Sequence, residues 1–195
     1  RGPGRPTRVR KTASPARSEG KFCQITRMFF ATFNMRFIDL ALTRHRRTLR
    51  GMSVETDIAV VIRPVRDTDL ESLGRVHAKC WHETYDHLVS EAALASLSPK
   101  RIAELWSHWQ QQGEEFKRFA AVIDGEIVGF IGCGPARDKD APREHELYFI
   151  YLLEAFHGTG IGQKLFDAAC GEEPNYLWVA KDNPRAHRFY ERNGY

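Results

Sequence analysis

Acidic residues are almost missing from the start of this chain. Residues 1–50 hold 13 Lys+Arg against two acids, Glu19 and Asp39, a balance of +11. The other 145 residues hold 16 Lys+Arg against 23 acids, a balance of −7, so the formal net charge of +4 averages two unlike materials. Paired cysteines are missing too. Cys23, Cys80, Cys133 and Cys170 are scattered, with no C-x-x-C arrangement. That argues against a zinc ribbon and a disulfide scaffold, and a reducing, cytoplasmic setting is expected. No apolar run approaches the roughly 18 residues of a membrane-spanning helix, and no membrane partner is expected.

What is present divides near Met52. The opening "RGPGRPTRVRKTASPARSEGK" has almost nothing to bury, and residues 1–51 read as a basic, disordered tail. Three readings of it stay open: a nucleic-acid-binding arm, an Arg-rich transit peptide, or upstream sequence foreign to a protein that begins at Met52. The last is favoured, because a domain-like pattern begins abruptly there. Residues 52–195 then form one domain.

Within it, "IAVVIRPV" reads as a strand. Thr68 and Glu71 have capping-box spacing, and Leu70, Leu73 and Val76 follow at helical period. Ser98-Pro99 opens a second helix, with Ile102, Leu105, Trp106 and Trp109 on one face and Gly113 as its stop. Those tryptophans read as core. "FAAVIDGEIVGFIGC" is a hairpin turning at Asp124-Gly125. "HELYFIYLL" is an interior strand, a helix covers Ile161–Cys170, "NYLWVA" is a strand, and Asn183-Pro184 opens a last helix. The order β-α-α-β-β-β-α-β-α predicts an α/β or α+β sandwich on a mixed sheet.

The stretch "FHGTGIGQKLF" between strand and helix reads as a phosphate loop. A triphosphate loop, G-x-x-x-x-G-K-[ST], fails: Gly158 and Gly162 are too close, Gln163 precedes Lys164, and Leu165 replaces the hydroxyl. A dinucleotide fingerprint also fails, because Gln163 takes the place of the third glycine and three strands already precede the loop.

A third pattern fits. "ELYFIYLLEAFHGTGIGQKLFDAA" resembles the acetyl-coenzyme A signature of the GNAT superfamily of N-acetyltransferases, a strand followed by [Q/R]-x-x-G-x-[G/A] at a helix start. "LWVAKDNPRAHRFYERNGY" is similar to the family's second signature, and the resemblance spans about Ile58–Tyr195. It implies a mixed, mostly antiparallel central sheet flanked by helices, with acetyl-coenzyme A as cosubstrate and no metal. Backbone N–H groups over His157, Gly158, Thr159, Gly160, Ile161 and Gly162 would cradle the pyrophosphate. His157 departs from the family's Gln or Arg; it can donate a hydrogen bond, and charge if protonated, but not a bidentate grip.

The same resemblance implies roles at the reacting end. Tyr190 is the expected general acid toward the departing thiolate, since a phenol stays protonated at neutral pH. Glu146 is the expected base, with Glu144, His145 and Tyr148 as rivals, and strand alternation would put it on the face of Tyr148, Ile150 and Leu152. Backbone groups near Leu152 and Leu153 would hold the pantetheine arm and thioester oxygen, and Asn183 would touch the arm while capping its helix. The segment with Trp81, His82, Tyr85 and His87 would line the acceptor side. His82 and His87 are five apart, which rotates them off a common helical face and disqualifies them as a zinc pair.

The family continues past "FYERNGY" into two more strands, so the chain reads as truncated after Tyr195, with an open sheet edge that a second copy could cover as a homodimer. The expected reaction is acetyl transfer from acetyl-coenzyme A to a primary amine, by direct attack in a ternary complex. The acidic domain favours a cationic acceptor, such as a polyamine, an aminoglycoside, or a lysine or N-terminal amine of a protein. The competing reading is a non-catalytic coenzyme A-binding or nucleic-acid-associated module that uses the basic tail.

Overall fold

The computed structural model describes residues 37–41, 59–86 and 96–195. His87 lies outside them, as does the expected tail of residues 1–51 apart from 37–41. One six-stranded sheet runs in the order β1-β6-β5-β4-β3-β2. Its strands are β1 Phe37–Ala41, β2 Val61–Pro64, β3 Lys117–Ile123, β4 Glu126–Pro135, β5 His145–Leu152 and β6 Asn175–Ala180. The helices are α1 Leu70–Tyr85, α2 Pro99–Gln110, α3 Ile161–Cys170 and α4 Pro184–Arg192. Every neighbouring pair is antiparallel except β5 with β6. This is the mixed, mostly antiparallel architecture expected.

Local chemistry explains most boundaries. The hairpin turns where Asp124 and Gly125 both take positive φ, 50° and 84°. Ser98 accepts from the Arg101 N–H at 3.3 Å and Asn183 from the Ala186 N–H at 3.0 Å, each with proline just inside the helix. The start of α1 differs from the capping box expected of Thr68 and Glu71. A 3-10 turn over Asp67–Asp69 comes first, and the anchor is Asp69. Its carboxylate accepts the Arg66 N–H at 2.8 Å and both terminal nitrogens of Arg63 at 2.6 and 2.9 Å. A bidentate guanidinium outweighs a hydroxyl cap.

The two faces of the sheet carry different cores. On one, His77, Trp106, Phe130 and Phe149 pack ring to ring beneath α1 and α2. On the other, Ile131, Cys133, Leu147 and Leu177 meet Ile161, Leu165 and Phe166 of α3 and Tyr190 of α4. His77 joins the first core because burial depresses its pKa to about 3, leaving a neutral ring. Its Nδ1 accepts the Trp106 indole N–H at 3.2 Å.

The basic segment corrects one expectation. Residues 37–41 form a strand, in register from Phe37↔Ala180 to Ala41↔Tyr176, where an open edge beside β6 was expected. An unpaired strand edge presents a row of unmet N–H and C=O groups, and β1 meets them on β6.

Candidate active site

The site grows from a defect in the sheet. β5 and β6 pair in parallel at His145↔Asn175, Glu146↔Tyr176 and Leu147↔Leu177, and the pairing stops there although both strands continue. The other side of β5 stays paired with β4 as far as Gly129↔Leu152. The Leu153 N–H donates to Val128 O at 2.9 Å, which makes Leu152 a residue whose own N–H and C=O face away from β4, into the gap. The Leu153 N–H is thus committed to the sheet, and of the two residues it is Leu152 whose backbone faces the gap.

At the end of β5 the chain makes a 3-10 turn over Glu154–Phe156 and enters the glycine loop. The turn is tied down by the His157 N–H to Glu154 O at 3.0 Å and the Thr159 hydroxyl to Phe156 O at 2.7 Å. Gly158 and Gly160 hold φ of 80° and 81°. A Cβ on either would meet no atom within 4 Å, so backbone conformation requires glycine there and the space above the loop is open. At Gly162 a Cβ would meet only Phe189, at 3.7 Å. The first N–H groups of α3, from Ile161 and Gly162, have no partner within the helix and lie at the end that adjoins the loop. A ten-residue helix with its N-terminus on an open, glycine-lined loop suits a pyrophosphate.

Side chains from both layers come together beside the unpaired part of β5. Tyr190 comes from α4, and Tyr85 and Tyr151 from α1 and β5, their hydroxyls 3.2 Å apart. Tyr190 is 8% exposed. Burial, and then proximity to Tyr85, push its phenol above the usual range, so it remains a proton donor. Burial does the same to Tyr85 and Tyr151. Cys80, also beside Tyr151, is raised to about 12 by burial and is a protonated thiol, not a nucleophile. Asn183 accepts from the Ala186 N–H at the α4 start. On the expected acceptor side, Trp81 and Tyr85 are buried and His82 is exposed.

Glu146 lies elsewhere and is otherwise employed. The β4–β5 register shifts between Gly132 and Cys133, leaving Tyr148 as an extra residue on β5. That bulge reverses the alternation, so Leu147, Ile150 and Leu152 share the α3 face and Glu146 points to the opposite one. The residue is 1% exposed. It accepts the Arg137 backbone N–H at 3.1 Å, the Arg137 Nε–H at 2.9 Å and the Tyr176 hydroxyl at 3.1 Å, while Arg137 Nη2 holds its other oxygen. The same guanidinium lies 4.4 Å from the Tyr148 ring centroid. The carboxylate expected as a direct base is thus held in a buried polar network with Arg137 and Tyr176, which disfavours that role. Among its rivals, the Tyr148 hydroxyl donates to Pro135 O at 2.6 Å and His145 Nδ1 stands 3.6 Å from Glu173.

The acetyltransferase (GNAT) family model matches residues 81–195, more than half of the chain. The chain belongs to the GNAT family. Its relatives include the uncharacterized N-acetyltransferase YuaI of Bacillus subtilis, 29% identical over 132 residues, or 64% of this chain and 74% of that protein. An uncharacterized N-acetyltransferase of Archaeoglobus fulgidus is 28% identical over 137 residues, 66% of this chain and 88% of that one. Among solved structures, a PaiA N-acetyltransferase of Thermoplasma acidophilum, in complex with coenzyme A, superposes with a TM-score of 0.56 at 25% identity, over 70% of this chain and 89% of that one. This GNAT protein is thus an acetyltransferase that uses acetyl-coenzyme A. Among the described residues no helix is long and apolar enough to cross a membrane.

The sequence had pointed to the loop, Tyr190 and Asn183 as candidates. It missed Arg137, whose pairing with Glu146 spans a polar loop, and Arg185, which hydrogen-bonds to His157. Arg137 stands in no motif, and Arg185 lies within the second signature at a position to which the sequence reading gave no role.

Proposed function

We propose that this chain transfers an acetyl group from acetyl-coenzyme A to a primary amine by direct attack within a ternary complex. One observation carries the proposal: β5 and β6 part after Leu147 and Leu177, with the glycine loop at the end of β5 and the buried Tyr190 close to Tyr151 on its unpaired part. The cosubstrate supplies an activated acetyl thioester. The chain's own groups do the rest. The Leu152 N–H, facing the gap, is placed to hold a carbonyl oxygen where charge develops. The loop N–H groups from Gly158 to Gly162 hold the anionic end. Tyr190, kept protonated by burial, gives its proton to the departing sulfur. Water entering the gap takes the proton of the attacking amine, since Glu146 is closed by Arg137 and Tyr176.

Direct attack is favoured over a covalent acyl-enzyme by the state of Cys80, a thiol held protonated by burial. Initial rates measured over a grid of both substrates test this. Intersecting double-reciprocal lines are expected, and parallel lines would overturn direct transfer.

A further inference from the structure

The residue that departs from the family signature has a partner. His157 Nε2 lies 2.8 Å from Leu152 O, and its Nδ1 lies 2.9 Å from Arg185 Nη1. A carbonyl only accepts, so Nε2 carries the proton, and Nδ1 then accepts from the guanidinium. Both ring nitrogens are thereby committed. In this state the ring cannot donate to a phosphate, although it occupies the position from which a Gln or Arg would do so.

Arg185 stands in the first turn of α4, 28 residues further along the chain. Its charge lowers the pKa of both Cys80 and Tyr85, against the larger effect of their burial. The guanidinium is therefore felt across the gap as well as beside the loop. It carries five N–H donors, and the bond to His157 uses one. The remaining donors form a planar fork suited to phosphate oxygens.

We propose that Arg185 is a phosphate-binding residue for the cosubstrate's pyrophosphate and that His157 is the positioning residue that aims it. The Leu152 carbonyl fixes the His157 ring, the ring fixes the guanidinium, and the pair replaces a single long side chain on the loop. This assignment rests on the proposed function, because it presupposes a coenzyme A ligand.

Isothermal titration tests it without turnover. The ligands are coenzyme A and dephospho-coenzyme A, which lacks the ribose phosphate and keeps the pyrophosphate. The proteins are wild type, Arg185→Gln, His157→Ala and His157→Gln, each also melted without ligand. Arg185→Gln should weaken both ligands about tenfold or more, the loss of a charge-assisted contact, with its melting temperature unchanged. His157→Ala should weaken both ligands less. His157→Gln, which keeps one donor and one acceptor, should restore affinity; a purely structural role for the imidazole would not give that rescue. Unchanged affinity in Arg185→Gln overturns the assignment, and a loss confined to coenzyme A overturns it in favour of the ribose phosphate. Wild type that binds neither ligand would overturn the functional reading itself, a result distinct from both.

Discussion

Arg137 holds both carboxylate oxygens of Glu146, and the Tyr176 hydroxyl donates to one of them at 3.1 Å. A strand-start carboxylate that resembled a catalytic base is thus the centre of a buried polar network. Glu146→Ala should cost stability more than catalysis. Removing one member of a buried pair costs about 3–5 kcal/mol. Arg137, whose side chain keeps 30% exposure, can reach water, which puts the loss near the lower end. Denaturant melts measure it. In the fraction of Glu146→Gln that stays folded, kcat should remain within severalfold of wild type. A kcat loss of a hundredfold or more with intact folding would return the base role to Glu146.

Tyr190→Phe is the counterpart. It removes one oxygen from a residue 8% exposed and leaves the ring packing on Phe189 and Tyr195. Its kcat should fall about a hundredfold or more while affinity for the cosubstrate and the melting temperature hardly move. A parallel rise in KM with unchanged kcat would assign Tyr190 to binding.

Gly160 and Gly162 should separate conformation from contact. Gly160→Ala forces a side chain to φ of 81°, at a cost of about 1–2 kcal/mol, and should weaken coenzyme A binding as the cradle distorts. Gly162→Ala adds a methyl in ordinary contact with Phe189 and should fold as wild type. Titration calorimetry beside melting curves reads both.

The buried His77 predicts an acid-sensitive fold. Its folded pKa of about 3 lies below the unfolded value of 6.5, so between these pH values the unfolded chain binds a proton that the native ring refuses. Stability from this group is complete above pH 6.5 and is lost as pH falls toward 3, with a slope of up to about 1.4 kcal/mol per pH unit. Urea melts across that window should show the slope, and His77→Gln should flatten it while losing stability at neutral pH.

Residues 37–41 predict a role for the basic segment. A chain beginning at Met52 lacks β1 and exposes the β6 edge from Tyr176 to Ala180. It should melt at lower temperature and self-associate in sizing experiments. Unchanged melting and a monomer would show that β1 contributes nothing to the fold.

Most local signals were legible, the capping-box spacing of Thr68 and Glu71 excepted. Asp124-Gly125, Ser98-Pro99 and Asn183-Pro184 each state a turn or cap within two residues, and each is found in place. What stayed hidden depends on partners far along the chain. "FIDLA" carries no strand signal beyond its own five residues, and its pairing with β6 joins positions 37 and 180. The Tyr148 bulge, which turned Glu146 to the other face, follows from the register of β4 against β5 and not from the β5 sequence. At the site, the glycine loop was readable because backbone conformation demands glycine there. The His157–Arg185 contact was not, because a hydrogen bond across 28 residues leaves no spacing rule behind.

The most direct test of the account is a panel of primary amines with acetyl-coenzyme A, following free thiol and acetylated amine together in wild type and Tyr190→Phe. The account predicts thiol release and acetylated amine in equal amounts for at least one cationic amine, with both lowered about a hundredfold or more in the variant. Thiol release without acetylated amine, or equal rates in the two proteins, would contradict it.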